Sequence, residues 1–225
     1  MEEKIIDGHS HVIYKRKTYS QDEMIKRSED FYNWIRERRT VRDISDKQIP
    51  IEVIKNIILS AGTAPSGAHK QPWTFCVVSN HAIKKEIRIA AEKEEYESYT
   101  SRMSERWKDD LKPLATNWDK PFIEKAPYLI IVFKKVYDEI EGQKANNYYV
   151  NESVGIACGM ILTAIHDAGL VTVTHTPSPM NFLTKILERP SNERPYLLLP
   201  IGYPEVDSYV PKLERKSLDE IMKLY

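Results

Sequence analysis

Asn151-Glu-Ser-Val-Gly-Ile-Ala-Cys-Gly-Met-Ile-Leu-Thr-Ala-Ile-His-Asp-Ala168 reads as a helix that is apolar on nearly every side, with Gly155 and Gly159 spaced so that another backbone can approach. Such a helix belongs in the middle of a core or at a large subunit interface. Upstream, Pro50 opens a second helix whose Ile51, Ile54, Ile58 and Ala61 form one stripe, with Gly62 after its end. Trp73-Thr-Phe-Cys-Val-Val-Ser79 is a short aromatic and β-branched run bounded by Pro72 and Asn80, and similar runs recur at 128–134, 170–174 and 196–201. These are strand signals. Strands separated by helices make a layered α/β or α+β fold.

Other segments are less apolar. Residues 84–107 are highly charged with few apolar anchors, which predicts a mostly solvated helix. Met24, Ile25, Phe31, Trp34 and Ile35 among charges predict an interrupted helix ending in a basic cluster, and residues 1–20, lacking periodicity, predict an extended arm. The expected organisation is therefore an arm (1–20) and one domain (21–225).

The chain of 225 residues carries 33 Lys+Arg against 33 Asp+Glu, which excludes a globally basic nucleic-acid binder. Only 8 glycines are present and none forms G-x-G-x-x-G; the nearest approach to a Walker A loop, Gly62-Thr-Ala-Pro-Ser-Gly67, continues as Ala68-His69 instead of Lys-Ser/Thr. Cys76 and Cys158 lie in apolar runs, as reduced core thiols do. Neither a signal-peptide pattern nor an uncharged run of membrane-spanning length is seen, so a cytoplasmic protein is expected.

Several constellations could carry chemistry. Arg38-Arg39-Thr40-Val41-Arg42 sets three guanidinium forks within five residues, matched to phosphate oxygens, although such a run is also common as solvated surface. Residues 64–73, with Pro65-Ser66-Gly67, form either a plain connection or a loop whose small residues let backbone N–H groups reach a planar ligand. Glu95 and Tyr99 share a helical face, and with Lys120 they offer an acceptor, a phenol and a cation, the set that holds a zwitterionic amino acid; random surface pairs would look the same. Thr174 and Thr176 close a strand run where hydroxyls can face a cofactor crevice, or serve only β-propensity. Asp7-Gly-His9-Ser-His11 resembles a metal-binding His pair without the further ligands of a barrel hydrolase, so no metal is expected.

Taken in order, Arg-Arg-Thr-Val-Arg (38–42), Ala-Gly-Thr-Ala-Pro-Ser-Gly-Ala-His-x-Gln-Pro-Trp (61–73), Asn-Glu-Ser-Val-Gly-Ile-Ala-Cys-Gly (151–159) and Ala-Gly-Leu-Val-Thr-Val-Thr (168–174) resemble the nitroreductase superfamily of FMN enzymes. Within it, the Glu-x-x-x-Tyr spacing at 95–99 and Thr-Asn-Trp-x-Lys at 116–120 are similar to the branch that dehalogenates tyrosines. The resemblance runs from about Phe31 to the C-terminus. It implies an α+β, α-β-α sandwich with a mainly antiparallel central sheet, in a domain-exchanged homodimer that places the apolar helix at the subunit interface.

It also implies roles. Arg38, Arg39, Thr40 and Arg42, with Arg215, would hold the phosphate and neighbouring oxygens of FMN. Ser66 would contact the flavin, and Thr174, His175 and Thr176 would lie along its edge. Thr176 is the implied catalytic residue, since a hydrogen bond to flavin N5 favours one-electron steps over hydride transfer. Glu95, Tyr99 and Lys120 would clamp a halogenated tyrosine, the Ala68 N–H would meet its phenolate, and residues of about 92–120 would form a lid that orders with substrate. The partners implied are an iodo-, bromo- or chlorotyrosine, a second copy and an unidentified donor that reduces the flavin, with neither nucleic acid nor membrane. Two departures stand out: vertebrate members carry an N-terminal membrane anchor, so a soluble bacterial form is expected, and they place Thr where His175 stands. Two other functions fit the same scaffold, a general NAD(P)H-dependent nitroreductase or quinone reductase and a non-catalytic flavin-binding or amino-acid-sensing module.

Overall fold

Leu129, Ile131 and Phe133 point to one side of strand β4 (Tyr128–Lys135) and Ile130 and Val132 to the other, all fully buried. A strand that is apolar on both faces must be covered on both. The computed structural model, which describes residues 3–225, supplies the two covers. β4 pairs antiparallel with β3 (Trp73–Val78) and with β8 (Glu193–Gly202), and β8 pairs antiparallel with the short β7 (Val171–Thr172), giving the order β3-β4-β8-β7. On one face lie α2 (Ile51–Gly62) and α6 (Val150–Asp167), packed on each other and supplying Ile54, Ile57, Val154 and Ile161 to the core. On the other lie α3 (His81–Glu97), α5 (Phe122–Lys125) and α7 (Asn181–Ile186), supplying Ile87, Ala91, Ile123 and Leu183. This is the expected α+β, three-layer sandwich with an antiparallel sheet.

The details depart from the sequence reading in four places. The stripe on α2 turns slightly: Ile54, Ile57 and Ala61 are buried, while Ile51 in the first turn is exposed and Ile58 packs only partly. The strand expected at 170–174 shrinks to Val171–Thr172. Its register with β8 continues to the bridge between His175 and Leu198, which places Val173 opposite Pro200. Proline has no N–H to give, so the ladder breaks there. The helix expected to be solvated is instead anchored, with Ile87 and Ala91 fully buried in the second face.

The fourth concerns the N-terminal residues. Two compact units divide the described residues, one ending at Arg38 and the other running Arg39–Tyr225. The first contains a hairpin, β1 (Glu3–Ile6) and β2 (His9–Val12), and a continuous helix α1 (Gln21–Ile35), so it is neither a plain extended arm nor an interrupted helix. Asp7 and Gly8 both take positive φ, 49° and 80°, as a two-residue hairpin turn requires. Ser20 caps α1 by accepting from the Glu23 N–H. Neither strand nor helix has a buried residue.

Candidate functional site

Burial on one side and charge on the other define α3. While Ile87 and Ala91 fasten it to the core, its last turns present Glu95, and beyond Glu97 the helix widens into a π turn over Ser98–Arg102 that carries Tyr99. Such turns concentrate at functional sites. The loop before α5 brings Lys120 to the same place. Its ammonium lies 3.4 Å from the Glu95 carboxylate, with the two side chains 5% and 13% exposed. It also stands 5.7 Å over the Tyr99 ring, donates to the Thr116 hydroxyl at 3.2 Å and to the Asn117 carbonyl, while the Tyr99 hydroxyl donates to the Thr116 carbonyl at 3.3 Å. Burial holds the Lys120 ammonium below the usual lysine range, opposed by the Glu95 charge, and burial pushes the Tyr99 phenol up. Three residues that the sequence offered as a set thus meet in space.

Arg42 belongs to this neighbourhood, because its positive charge acts on Tyr99, Lys120 and His175. Arg39, three residues earlier, donates to the Pro211 carbonyl and so ties down the segment leading to Arg215. Arg38 closes the other unit, and its assignment rests on the sequence pattern alone. Thr40 is half-buried between them in sequence, and Arg215 is exposed.

Backbone strain gathers in the loop between α2 and β3. Ala68, His69 and Gln71 all have positive φ, 48°, 55° and 47°, and Tyr149, which precedes α6, has 47°. Non-glycine residues held there cost about 1–3 kcal/mol each and cluster at ligand sites. The Ser66 hydroxyl accepts from the Gln71 N–H at 2.9 Å, which closes the turn and leaves its own proton to donate. The Gly67 N–H donates to buried Ser153 on α6, joining the loop to the apolar helix.

Beyond β7, Thr174 and Thr176 are exposed while His175 between them is buried, an alternation kept by the two backbone hydrogen bonds of His175 to Leu198. Both hydroxyls therefore share the open edge of the sheet. The His175 ring goes the other way, edge-on to Phe122 at 5.8 Å, so its side chain does not join the threonines on the open edge. Burial, with the charges of Lys120 and Arg42, lowers its pKa to about 3, so the ring is neutral.

Nothing in the local sequence marks Arg102, Ser153 or Arg88 as part of this region, because beside their near neighbours on the helix each reaches a partner far along the chain: Ser178, Gly67, and Asp119 with Glu124. Arg102 bonds Glu94 and Glu97 and donates to the Ser178 carbonyl at 2.9 Å, joining the π turn to the segment after Thr176. Cys76 and Cys158 are free thiols pushed up by burial, Cys158 to about 12. Among the described residues no three His, Cys, Asp or Glu gather as a metal site, and no helix is long and apolar enough to cross a membrane.

An antiparallel sheet covered on both faces, with exposed hydroxyls beyond its β7 edge, a guanidinium cluster at 39–42 and a strained loop leading into its opposite edge strand β3, defines a class, and a model of the nitroreductase family matches residues 35–203. The chain belongs to that family. Within it, the chain is 58% identical over 213 residues to iodotyrosine deiodinase of Haliscomenobacter hydrossis, spanning 94% of this chain and 96% of that relative. It is 49% identical over 214 residues to iodotyrosine deiodinase 1 of Homo sapiens, spanning 94% of this chain and 74% of that relative. Among solved structures it is similar to oxidized iodotyrosine deiodinase bound to FMN and 3-iodo-L-tyrosine, with a TM-score of 0.74 and 33% identity over 83% of this chain and 95% of that one.

Proposed function

We propose that this protein is an FMN-dependent reductive dehalogenase of halogenated tyrosines, releasing halide and tyrosine from iodotyrosine. The observation that carries the reading is the buried Glu95–Lys120 pair beside Tyr99. In the free protein each charge neutralises the other; an amino-acid zwitterion inserts its ammonium against Glu95 and its carboxylate against Lys120, so that no buried charge is left alone. A ligand with only one of the two charges leaves one side chain unpaired, which selects for an amino acid.

The residues present fit FMN. Arg39 and Arg42 offer guanidinium donors for its phosphate and oxygens, and the open-edge hydroxyls of Thr174 and Thr176 are the right groups to border a flavin ring. Arg38, Thr40 and Arg215 are assigned to the same phosphate end by the sequence pattern. When bound, FMN supplies the two electrons that, with one proton, replace the carbon–halogen bond by carbon–hydrogen and release halide. Ser66, with its hydroxyl proton free to donate, would contact the flavin edge. Thr176 would offer its hydroxyl to flavin N5, the contact that favours single-electron chemistry when FMN is bound. The backbone of His175 aligns the two threonines through its bonds to Leu198. The Ala68 N–H, in the strained left-handed turn of this loop, would receive the substrate phenolate. Glu95, Tyr99 and Lys120 would hold the other end, orienting the substrate ring toward the flavin, and residues of about 92–120 would close over it as a lid.

Two partners complete the reading. A second copy covers the exposed face of α6, and a separate donor reduces the flavin between turnovers. The decisive experiment mixes anaerobically reduced holoprotein with 3-iodotyrosine and measures iodide and tyrosine; equal yields of both are expected, and no iodide would overturn the reading. Charge-assisted hydrogen bonds are worth about 1.5–3 kcal/mol, so Glu95→Gln weakens 3-iodotyrosine binding more than about tenfold while FMN stays bound. Parent-like affinity in that variant would remove the clamp.

A further inference from the structure

Lys120 sits on a loop, yet the clamp needs its ammonium held in a dry place within ångströms of Glu95. Loops do not hold a desolvated charge unaided, since the ammonium gains by swinging out to water. The restraint lies on α3, nearly two turns before Glu95. The Arg88 guanidinium donates to Glu92 at 2.7 Å, to Asp119 at 2.9 Å and to Glu124 at 3.3 Å. Glu92 lies one turn further along the same helix, Asp119 immediately precedes Lys120, and Glu124 is in α5. The same Glu92 oxygen that takes the Arg88 Nε–H also accepts the backbone N–H of Lys120 at 2.8 Å.

We infer that Arg88 is a positioning residue for substrate binding, which holds Lys120 against Glu95 by gathering the carboxylates of Glu92, Asp119 and Glu124. This rests on the functional reading above. The physical case has two parts. A planar fork satisfies several carboxylates at fixed angles, which a lysine cannot do. Without the fork, Glu92 and Asp119 lose the guanidinium they share, while Glu124 keeps His81 at 3.2 Å; the repulsion between Glu92 and Asp119 then drives the loop that carries Asp119 and Lys120 away from α3. Arg88 touches neither the proposed flavin residues nor Glu95, Tyr99 or the Lys120 ammonium, so its loss acts on affinity and leaves the reacting groups in place.

The test titrates 3-iodotyrosine into oxidised holoprotein, following the flavin spectrum, and measures anaerobic turnover with the same ligand. Arg88→Met is expected to raise Kd and KM about tenfold, keep kcat within about twofold, and retain FMN. Arg88→Lys, which restores charge without the fork, falls between. In ~1 M KCl, where the screening length shrinks to about 3 Å, Arg88→Met recovers part of its affinity relative to the parent in the same salt, which a variant that had merely lost packing would not do. Affinity within twofold of the parent, or parallel collapse of substrate affinity and FMN content, overturns the inference. Should Arg88→Met fail to fold, Asp119→Asn breaks the loop side of the same link at an exposed position; severalfold weaker binding with full FMN supports the inference, and parent-like binding overturns it. A parent that releases iodide while Arg88→Met binds normally defeats this inference alone, whereas a parent that neither binds nor dehalogenates 3-iodotyrosine defeats the functional reading and this inference with it.

Discussion

His175 shows how much one buried ring can weigh on a small protein. Its Nε2 and the Asn147 Oδ1 are buried side-chain atoms without a hydrogen bond, a cost of about 1–3 kcal/mol for each such group. The ring gains packing against Phe122 in return, and its neutrality avoids a third positive charge beside Lys120 and Arg42. That choice has a pH signature. The folded pKa is depressed to about 3 from 6.5, so the unfolded chain binds the extra proton first. The contribution to stability is complete above pH 6.5 and is lost as pH falls toward 3, at up to about 1.4 kcal/mol per pH unit. Urea unfolding between pH 7 and pH 4 should therefore show His175→Thr losing stability less steeply than the parent. Identical slopes would mean that the ring does not stay dry and uncharged.

At the level of the loop and helix, the close approach of residues 66–69 to the start of α6 is the most exacting fit in the site. A Cβ on Gly67 would stand 2.9 Å from the Tyr149 ring and 3.1 Å from the Tyr148 carbonyl oxygen. The first neighbour can turn aside but the second is backbone, so Gly67→Ala should push the strained turn off α6, destabilise by about 1–3 kcal/mol and lower FMN retention after dialysis. Full retention would detach this loop from the flavin. Such fits explain what was legible in the sequence. The sheet was, since β3, β4 and β8 are runs of apolar residues bounded by turn signals, and so were α2 and α6. The end of β7 was not, because it depends on Pro200 standing opposite Val173, a matter of register between distant strands. The hairpin at 3–12 hid behind exposure on both faces, although Asp7-Gly8 is a turn signal that no alternating pattern supported. In the site, Glu95, Tyr99 and Lys120 were a weak set by chemistry alone and became specific through the resemblance, while Arg88 stayed invisible because two of its partners, Asp119 in a loop and Glu124 in α5, lie beyond the reach of helical spacing.

Across the whole molecule, apolar surface goes uncovered where a folded chain of this size normally hides it. Ile156 on α6 is 47% exposed, and a Cβ on Gly159 would meet nothing within 4 Å. Over Gly155 a Cβ would meet the Tyr196 hydroxyl at 3.4 Å, so among the described residues it is the Gly159 end of the helix that stays open, and the proposed second copy would cover it. Within the same unit the last residues also expose Leu218, Ile221 and Leu224, apolar surface of the kind that a partner covers. A two-fold pair would bring the same face of α6 from each copy together. Sedimentation should then give twice the 26.2 kDa chain mass for the parent. Ile156→Lys should shift it toward the single chain, since each copy would bury an unpaired ammonium in an apolar seam. FMN should be lost in proportion, because the Ser66–Gln71 loop rests on the N-terminal end of this same helix through Gly67 and Ser153. A parent that sediments as one chain and still releases iodide would overturn the pairing.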